Sequence, residues 1–161
     1  MLRSYCYIEP MLLDSLLVPE TIAKPKSFVG LMAVYESNYL RLLRLIPELD
    51  HLDGCFVSRV AGDCDLFVEV IETSRYTVTL SLTYRLPTDD GLVSDPDITV
   101  RAYLDGKQAE VLDIGEKQRH AALRRLVFEH REELDRRWRF NIVLNKWLDY
   151  LSEQGHLILD R

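Results

Sequence analysis

The sequence predicts an α+β fold: an antiparallel sheet of about five strands, with an N-terminal helix and two C-terminal helices packed mainly on one face. Three observations carry this. Apolar residues recur at spacings of three and four over residues 27–47, the signature of one helix face. From Cys55 to Val111 the period falls to two, and the connections between the alternating runs are short. After Gly115 the helical period returns and lasts to Gly155. Short links between consecutive strands favour antiparallel pairing, with the helices gathered beside the sheet.

The first helix begins at Ser27, a suitable N-cap. Phe28, Leu31, Met32, Tyr35, Tyr39, Leu42, Leu43 and Ile46 form its core stripe, and Pro47 stops it. Two strands follow, 55–60 and 66–71, joined near Gly62-Asp63. The third is the clearest in the chain. Tyr76, Val78, Leu80, Leu82 and Tyr84 alternate with Thr77, Thr79, Ser81, Thr83 and Arg85. A three-residue link is expected before it, setting Val70 opposite Val78 and Val68 opposite Leu80, because a two- or four-residue link would push Glu69 against Val78. Residues 87–96, bounded by Pro87 and Pro96 and rich in Asp, are expected to be a loop. Strands four and five are a hairpin turning at Asp105-Gly106. Beyond Gly115, one helix carries Leu123, Leu126, Val127 and Leu134. A longer one carries Trp138, Ile142, Leu144, Trp147, Leu148 and Leu151, with Gly155 as its C′ residue.

The hairpin register pairs Val100 with Val111, Ala102 with Ala109 and Tyr103 with Gln108, which sets Arg101 across from Glu110. On an open sheet face such a pair is a brace, contributing about 0.2–1 kcal/mol. The competing reading makes Arg75, Arg101, Tyr103 and Glu110 part of a polar groove for an anionic ligand, since arginine offers a planar donor fork. The brace is the preferred reading.

The 161 residues suffice for one domain, and 47% hydrophobic with 29% charged residues is an ordinary globular composition. Residues 1–26, punctuated by Pro10, Pro19 and Pro25, are expected to be an arm. Residues 27–161 are expected to be a single domain. A net charge of −6 makes nucleic acid an unfavoured partner. The charge is unevenly spread: residues 1–118 carry 11 basic and 19 acidic side chains, and residues 119–161 carry 9 and 7. The basic cluster Arg119, Arg124, Arg125, Arg131, Arg136, Arg137 and Arg139 is interleaved with Glu129, Glu132, Glu133 and Asp135. A solvated, ion-paired helix is therefore favoured over an RNA site. No run is long and apolar enough to span a membrane. Asp14 interrupts the apolar stretch 11–18, which argues against a signal peptide. Three cysteines with no close pair suggest reduced thiols, and with them a cytoplasmic location.

No phosphate loop, nucleophile elbow or zinc-helix motif is present. His51, His120, His130 and His156 are scattered. Asp89, Asp90, Asp95 and Asp97 lack the alternation of a calcium loop. No metal and no cofactor is expected. Acid–base catalysis at Glu110 or Glu69 ranks below a non-enzymatic interaction or regulatory module, whose partner would be a protein or a second copy. It also ranks below a binder of a small anionic ligand.

Three segments carry a likeness to a known family. They are Glu36-Ser37-Asn38-Tyr39 leading to Leu45-Ile46-Pro47, then residues 71–77 (Ile-Glu-Thr-Ser-Arg-Tyr-Thr), then residues 99–103 (Thr-Val-Arg-Ala-Tyr) with Ala109-Glu110-Val111. Asn145-Lys146-Trp147-Leu148 and Gly155-His156 add a weaker echo. In these the chain resembles the YqiB-like bacterial proteins, a domain of unknown function. The resemblance covers about residues 27–156 and implies no known activity. The family's gene neighbourhood, a cyclic-nucleotide phosphodiesterase and an ADP-ribose hydrolase, implies a nucleotide-related or regulatory setting. The basic segment 119–139 departs from the family pattern.

Overall fold

A computed structural model describes residues 26–89, 91–115 and 133–159. In chain order they form α1 (Phe28–Leu45), β1 (Cys55–Ser58), β2 (Leu66–Thr73), β3 (Thr77–Thr88), β4 (Gly91–Tyr103), β5 (Gln108–Ile114) and α2 (Glu133–Gln154). The five strands make one antiparallel sheet in sequential order. The described residues thus hold two helices where three were expected. The helix expected at Leu123, Leu126 and Val127 lies outside them, as does the arm apart from Lys26. Leu134, expected on the same helix as those residues, sits at the start of α2 as described.

The start of α1 and the end of α2 follow from their end residues. The Ser27 hydroxyl accepts the Gly30 N–H at 3.0 Å, capping α1. Gly155, at φ +91°, ends α2. The N–H of His156 there reaches the Leu151 carbonyl at 2.9 Å, the six-to-one bond of a Schellman turn. The buried stripe of α1 runs through Leu31, Val34, Tyr35, Asn38, Tyr39, Leu42 and Leu45. Phe28, expected within it, is exposed. Leu42 and Leu45 share one core with Leu144, Trp147, Leu148 and Leu151 of α2 and with Val78, Leu80, Leu82, Val100, Ala102, Ala109 and Val111 of the sheet. A smaller cluster, Leu31, Val34, Tyr35, Trp138 and Ile142, joins the two helices to each other.

The β2–β3 register corrects the expected one. Val70 pairs with Leu80 and Val68 with Leu82, and a bulge lies between Val70 and Glu72. The extra residue, Ile71, is exposed. One inserted residue flips which side of the ladder each later side chain takes. A tight turn at Arg75-Tyr76 therefore coexists with an all-apolar inner face, and Glu69 faces Ser81. Ser74 closes that turn, its hydroxyl accepting the Thr77 N–H at 3.1 Å. The strands β1 and β2 are also linked differently from the expected tight turn. Ser58 pairs with Leu66, so the whole stretch 59–65, not Gly62-Asp63 alone, makes the connection.

The Asp-rich loop expected at 87–96 is a ribbon. Leu86 pairs with Val93, Pro87 with Leu92 and Thr88 with Gly91. The β2 ladder ends at Leu66–Tyr84. Beyond it β3 has no neighbouring strand on its outer side among the described residues, so Pro87 needs no N–H for a ladder there. The β4–β5 register is as expected, with Arg101 opposite Glu110, Ala102 opposite Ala109 and Tyr103 opposite Gln108. Its turn is wider than the expected two residues: it spans residues 104–107, and Lys107 takes the left-handed conformation at φ 50°. Cys55 is a free, exposed thiol. Cys64 is disulfide-bonded, which corrects the reading of reduced thiols throughout and withdraws the redox argument for the cytoplasm. No helix among the described residues is long and apolar enough to cross a membrane.

The two helices close the edge of the sheet at β5. β5 is the last strand, and its outward groups would otherwise face a neighbour or water. Asn141 Oδ1 accepts the Val111 N–H at 3.0 Å, and Asn38 Nδ2 lies 3.5 Å from the Ala109 carbonyl oxygen. Asn38 Nδ2 also donates to Asn141 Oδ1 at 3.1 Å, and Asn145 Nδ2 donates to Asn38 Oδ1 at 2.9 Å. All three asparagines are buried. Replacing Asn141 by Ala leaves a buried N–H and a buried amide without partners. The expected loss is about 2–4 kcal/mol in urea melts, well above that of an average substitution.

Candidate functional site

Polar chemistry collects around the carboxylates of Glu110 and Asp63 and along one strand face. Glu110 is the first. It is only 8% exposed although it alternates with the core residues Ala109 and Val111. Three elements supply its partners. Tyr103 of β4 donates to Oε1 at 2.7 Å, Tyr35 of α1 to Oε2 at 3.1 Å, and Arg137 Nη1 of α2 to Oε2 at 3.1 Å. Tyr35 reaches Glu110 because it lies on the inter-helix stripe, and Arg137 because it sits one position before the buried Trp138. Arg137 is held in turn by Glu133, Nε to Oε1 at 2.6 Å. The paired guanidinium groups of Arg136 and Arg137 pull the Glu133 carboxyl down to about 2.

The pairing of Arg101 with Glu110 is therefore one of backbone register and not of charge. The counter-charge of Glu110 is Arg137. Arg101 is turned the other way: its Nε donates to Thr79 Oγ1 at 3.2 Å, and its Nη2 lies 3.8 Å from Glu72. The bulge at Ile71 brings Glu72 opposite Thr79 and so within reach. Arg101 remains 35% exposed. Thr79, Ser81, Thr83, Asp97 and Thr99 continue this polar face, with Ser81 donating to Asp97 at 3.2 Å and Thr83 to the Pro96 carbonyl at 2.9 Å. Arg75 stands in the β2–β3 turn, its guanidinium 5.1 Å from the centre of the Tyr76 ring. Of the four expected site residues, Arg101, Tyr103 and Glu110 share one face, while Arg75 makes its contact at the turn. Glu69 is exposed, between Cys55 and Ser81.

The second carboxylate, Asp63, was not singled out by its sequence context. Tyr84 donates to Oδ2 at 2.8 Å and Tyr150 to Oδ1 at 3.1 Å, while His156 Nε2 lies 3.0 Å from Oδ2. His156 Nδ1 is 3.0 Å from Ser58 Oγ, which also accepts the Leu157 N–H at 3.3 Å. Serine, histidine and aspartate thus stand in line, as in nucleophilic catalysis. Two features set the line apart from that chemistry. The His156 side chain is fully buried, and the Ser58 oxygen is already engaged by a backbone amide. What the line does is pin the C-terminal segment, since the next described amide, Ile158 N–H, bonds the Leu45 carbonyl at 2.8 Å. The one hint in the sequence is a histidine directly after the glycine that ends a helix.

Among the described residues no group of three or more His, Cys, Asp or Glu could hold a metal ion. Arg136, Arg137 and Arg139 of the basic cluster are ion-paired with Glu133, Glu110 and Asp135. Arg119, Arg124, Arg125 and Arg131 lie outside the described residues, as do His120, His130 and Asp90. His51 is exposed beside Asp50.

Against known proteins, a family model described as "Protein of unknown function (DUF1249)" matches residues 41–157. No curated protein and no solved structure matches the chain. The matched span takes in β1 to β5, α2, Glu110, Asp63 and His156, and begins after Asn38.

Removal of Arg137 strands a buried carboxylate, which keeps only its two phenols. Arg137→Met is expected to cost about 1–3 kcal/mol. Arg101→Met, at a partly exposed site with a distant acid, is expected to cost no more than about 1 kcal/mol. Urea melts at neutral pH separate the two, and an inverted order would contradict the charge assignment. The phenols set a second test. Burial pushes Tyr35 and Tyr150 up to about 12, and burial with the Asp63 bond raises Tyr84 further. A folded-state value above the unfolded one stabilises fully below about pH 10 and is lost as pH rises through the folded value. Stability is thus expected to fall between about pH 10 and 12, and less steeply in Tyr150→Phe. Alkaline urea melts read both slopes.

Proposed function

Because the chain belongs to the DUF1249 family, a family of unknown function, we propose a role from the site itself: a non-enzymatic interaction module, regulatory in character, that offers the polar strand face around Arg101 to a protein partner. One observation carries this reading. The Glu110 and Asp63 carboxylates are each engaged by groups from three separate parts of the chain, Glu110 by Tyr35, Tyr103 and Arg137, and Asp63 by Tyr84, Tyr150 and His156. Groups held in that way join elements together; a general base or nucleophile needs an open position for its substrate. Acid–base chemistry at Glu110 fits this arrangement poorly.

Arg101 is the contrasting case. Its guanidinium donates to Thr79, lies near Glu72 and interacts with the Tyr103 side chain, and it keeps part of its surface in water. A planar fork with free donors suits an acidic side chain of a partner. The YqiB-like segments quoted above include this strand, which supports placing the role here.

A second reading rests on the same side chain. A small anionic, nucleotide-like ligand would meet Arg101 and the Tyr103 hydroxyl, with Arg75 at the rim. Glu110 would then orient Tyr103 and not touch the ligand. Glu72 at 3.8 Å and Glu110 nearby oppose a multiply charged free anion more than a single carboxylate held by contacts around it, so the protein partner is preferred.

Two measurements test the pair. Tagged protein and Arg101→Glu are used to capture partners from a lysate of the native host. A partner retained by the wild type and lost by the variant, at an unchanged melting temperature, is the expected result. No partner above background sinks the module reading. A thermal-shift screen of nucleotides then judges the second reading, because a ligand bound only by the folded chain raises its apparent stability.

A further inference from the structure

The two edges of the sheet are treated oppositely. β5 is closed by Asn38 and Asn141, whereas among the described residues β1 has β2 on one side and no strand on the other. The Val70 N–H bonds the Gly54 carbonyl at 2.9 Å, and Phe56 pairs with Val68. In an antiparallel ladder this alternation turns the amide and carbonyl of Gly54, Phe56 and Ser58 toward β2 and those of Cys55 and Val57 outward. Among the described residues the backbone groups of Cys55 and Val57 have no partner, and both side chains are exposed.

Natural sheets guard such an edge with lysine, proline, a bulge or a covering element. Cys55-Phe56-Val57-Ser58 has no charge and no proline, and its ladder to β2 is regular. The flanks show a matching pattern. Asp53 precedes the strand by two residues and Arg59 follows it directly. An antiparallel pairing of two β1 strands centred on Phe56 sets Cys55 against Val57 of the other copy, twice over, which uses all four outward groups. The same two-fold axis brings each Asp53 to the end where the other copy's Arg59 lies. Asp53 forms no ion pair among the described residues, and Arg59 holds only the exposed Asp65 at 2.9 Å. A strand whose ends carry opposite charges about its own centre is complementary to itself in antiparallel.

We propose that β1 is a self-association edge, through which a second copy of this chain adds its own β1 to form a continuous ten-stranded antiparallel sheet. This lies apart from the polar face around Arg101 and stands whether or not that face binds anything. The ribbon is short, so the dimer is weak, with a dissociation constant in the range of about ten to several hundred micromolar.

Sedimentation equilibrium of the full chain without reductant is the test, run from about ten micromolar to about one millimolar, with non-reducing gel electrophoresis of the same samples to exclude a cross-link through Cys55. The mass is expected to rise from 18.8 kDa toward twice that value. Val57→Pro removes an outward N–H that β2 does not use, so it is expected to weaken association at least tenfold while leaving the melting temperature nearly unchanged. Should that variant fail to fold by circular dichroism, Val57→Lys places a charge on the edge and is expected to do the same. Asp53→Arg is expected to weaken association, and Asp53→Arg with Arg59→Asp to restore it. A wild type that stays monomeric throughout overturns the proposal. So does a dimer whose affinity survives both Val57 variants. A dimer lost in the Val57 variants but indifferent to the charge swap overturns the register centred on Phe56.

Discussion

Two backbone groups on the outer side of β5 constrain the rest of the molecule: the Ala109 carbonyl and the Val111 N–H. Left bare in an apolar setting, each would cost free energy comparable to a lost hydrogen bond. Asn38 and Asn141 meet them from two different helices, and the same two side chains meet each other at 3.1 Å. An amide side chain is suited to this because it donates and accepts at once. The helices cannot slide along β5 without breaking the set, and that fixes where Tyr35 and Arg137 stand. Those two then close over Glu110, the neighbour of Ala109. The carboxylate is buried because the edge is sealed, and it is tolerable there because the seal brings its donors.

This dependence orders the polar clusters. The asparagine set is neutral and binds helix to strand; the Glu110 set is charged and tightens the same joint from the other side of the pleat. The Asp63 set acts at a distance from both. It joins the β1–β2 connection, β3, α2 and the segment after α2. Trp147 stands edge-on to Tyr84 at 5.4 Å beside it. Burying polar groups in this way yields less stability than apolar packing of the same volume would. What it supplies is a single admissible alignment.

Much of this was legible in the residues and some was not, for reasons that can be named. The alternation in β3 and the apolar pairs Val100–Val111 and Ala102–Ala109 fixed strands and register, because burial punishes a one-residue slip. The helix ends at Ser27 and Gly155 were legible because capping is local chemistry. The β2–β3 register was not: a bulge at Ile71 changes which residues face inward, and nothing in Val70-Ile71-Glu72 announces it. The prolines that suggested a loop at 87–96 sit in a ribbon with no further strand alongside it among the described residues. In the candidate site, pairing Arg101 with Glu110 was correct for the backbone and wrong for the charge. The missing term was Arg137, which is remote in sequence and arrives only through helix packing. Asn141 and Asn145 did leave a trace, as polar residues set among Trp138, Ile142, Trp147 and Leu148.

The contrast between the two sheet edges bears on how the fold is used. Closing an edge with buried amides demands two helices in register and three asparagines at fixed positions, an arrangement with many ways to fail. A lysine or proline on β5 would have protected that edge with far less. The elaborate closure makes sense if the helix pair has to be held in one orientation against β5. β1, by contrast, lacks even the simple guards. The proposed self-association and partner contacts would thus fall at the β1 end of the sheet and along the polar face, away from the edge held by the three buried asparagines. The helix end is committed to holding the domain together.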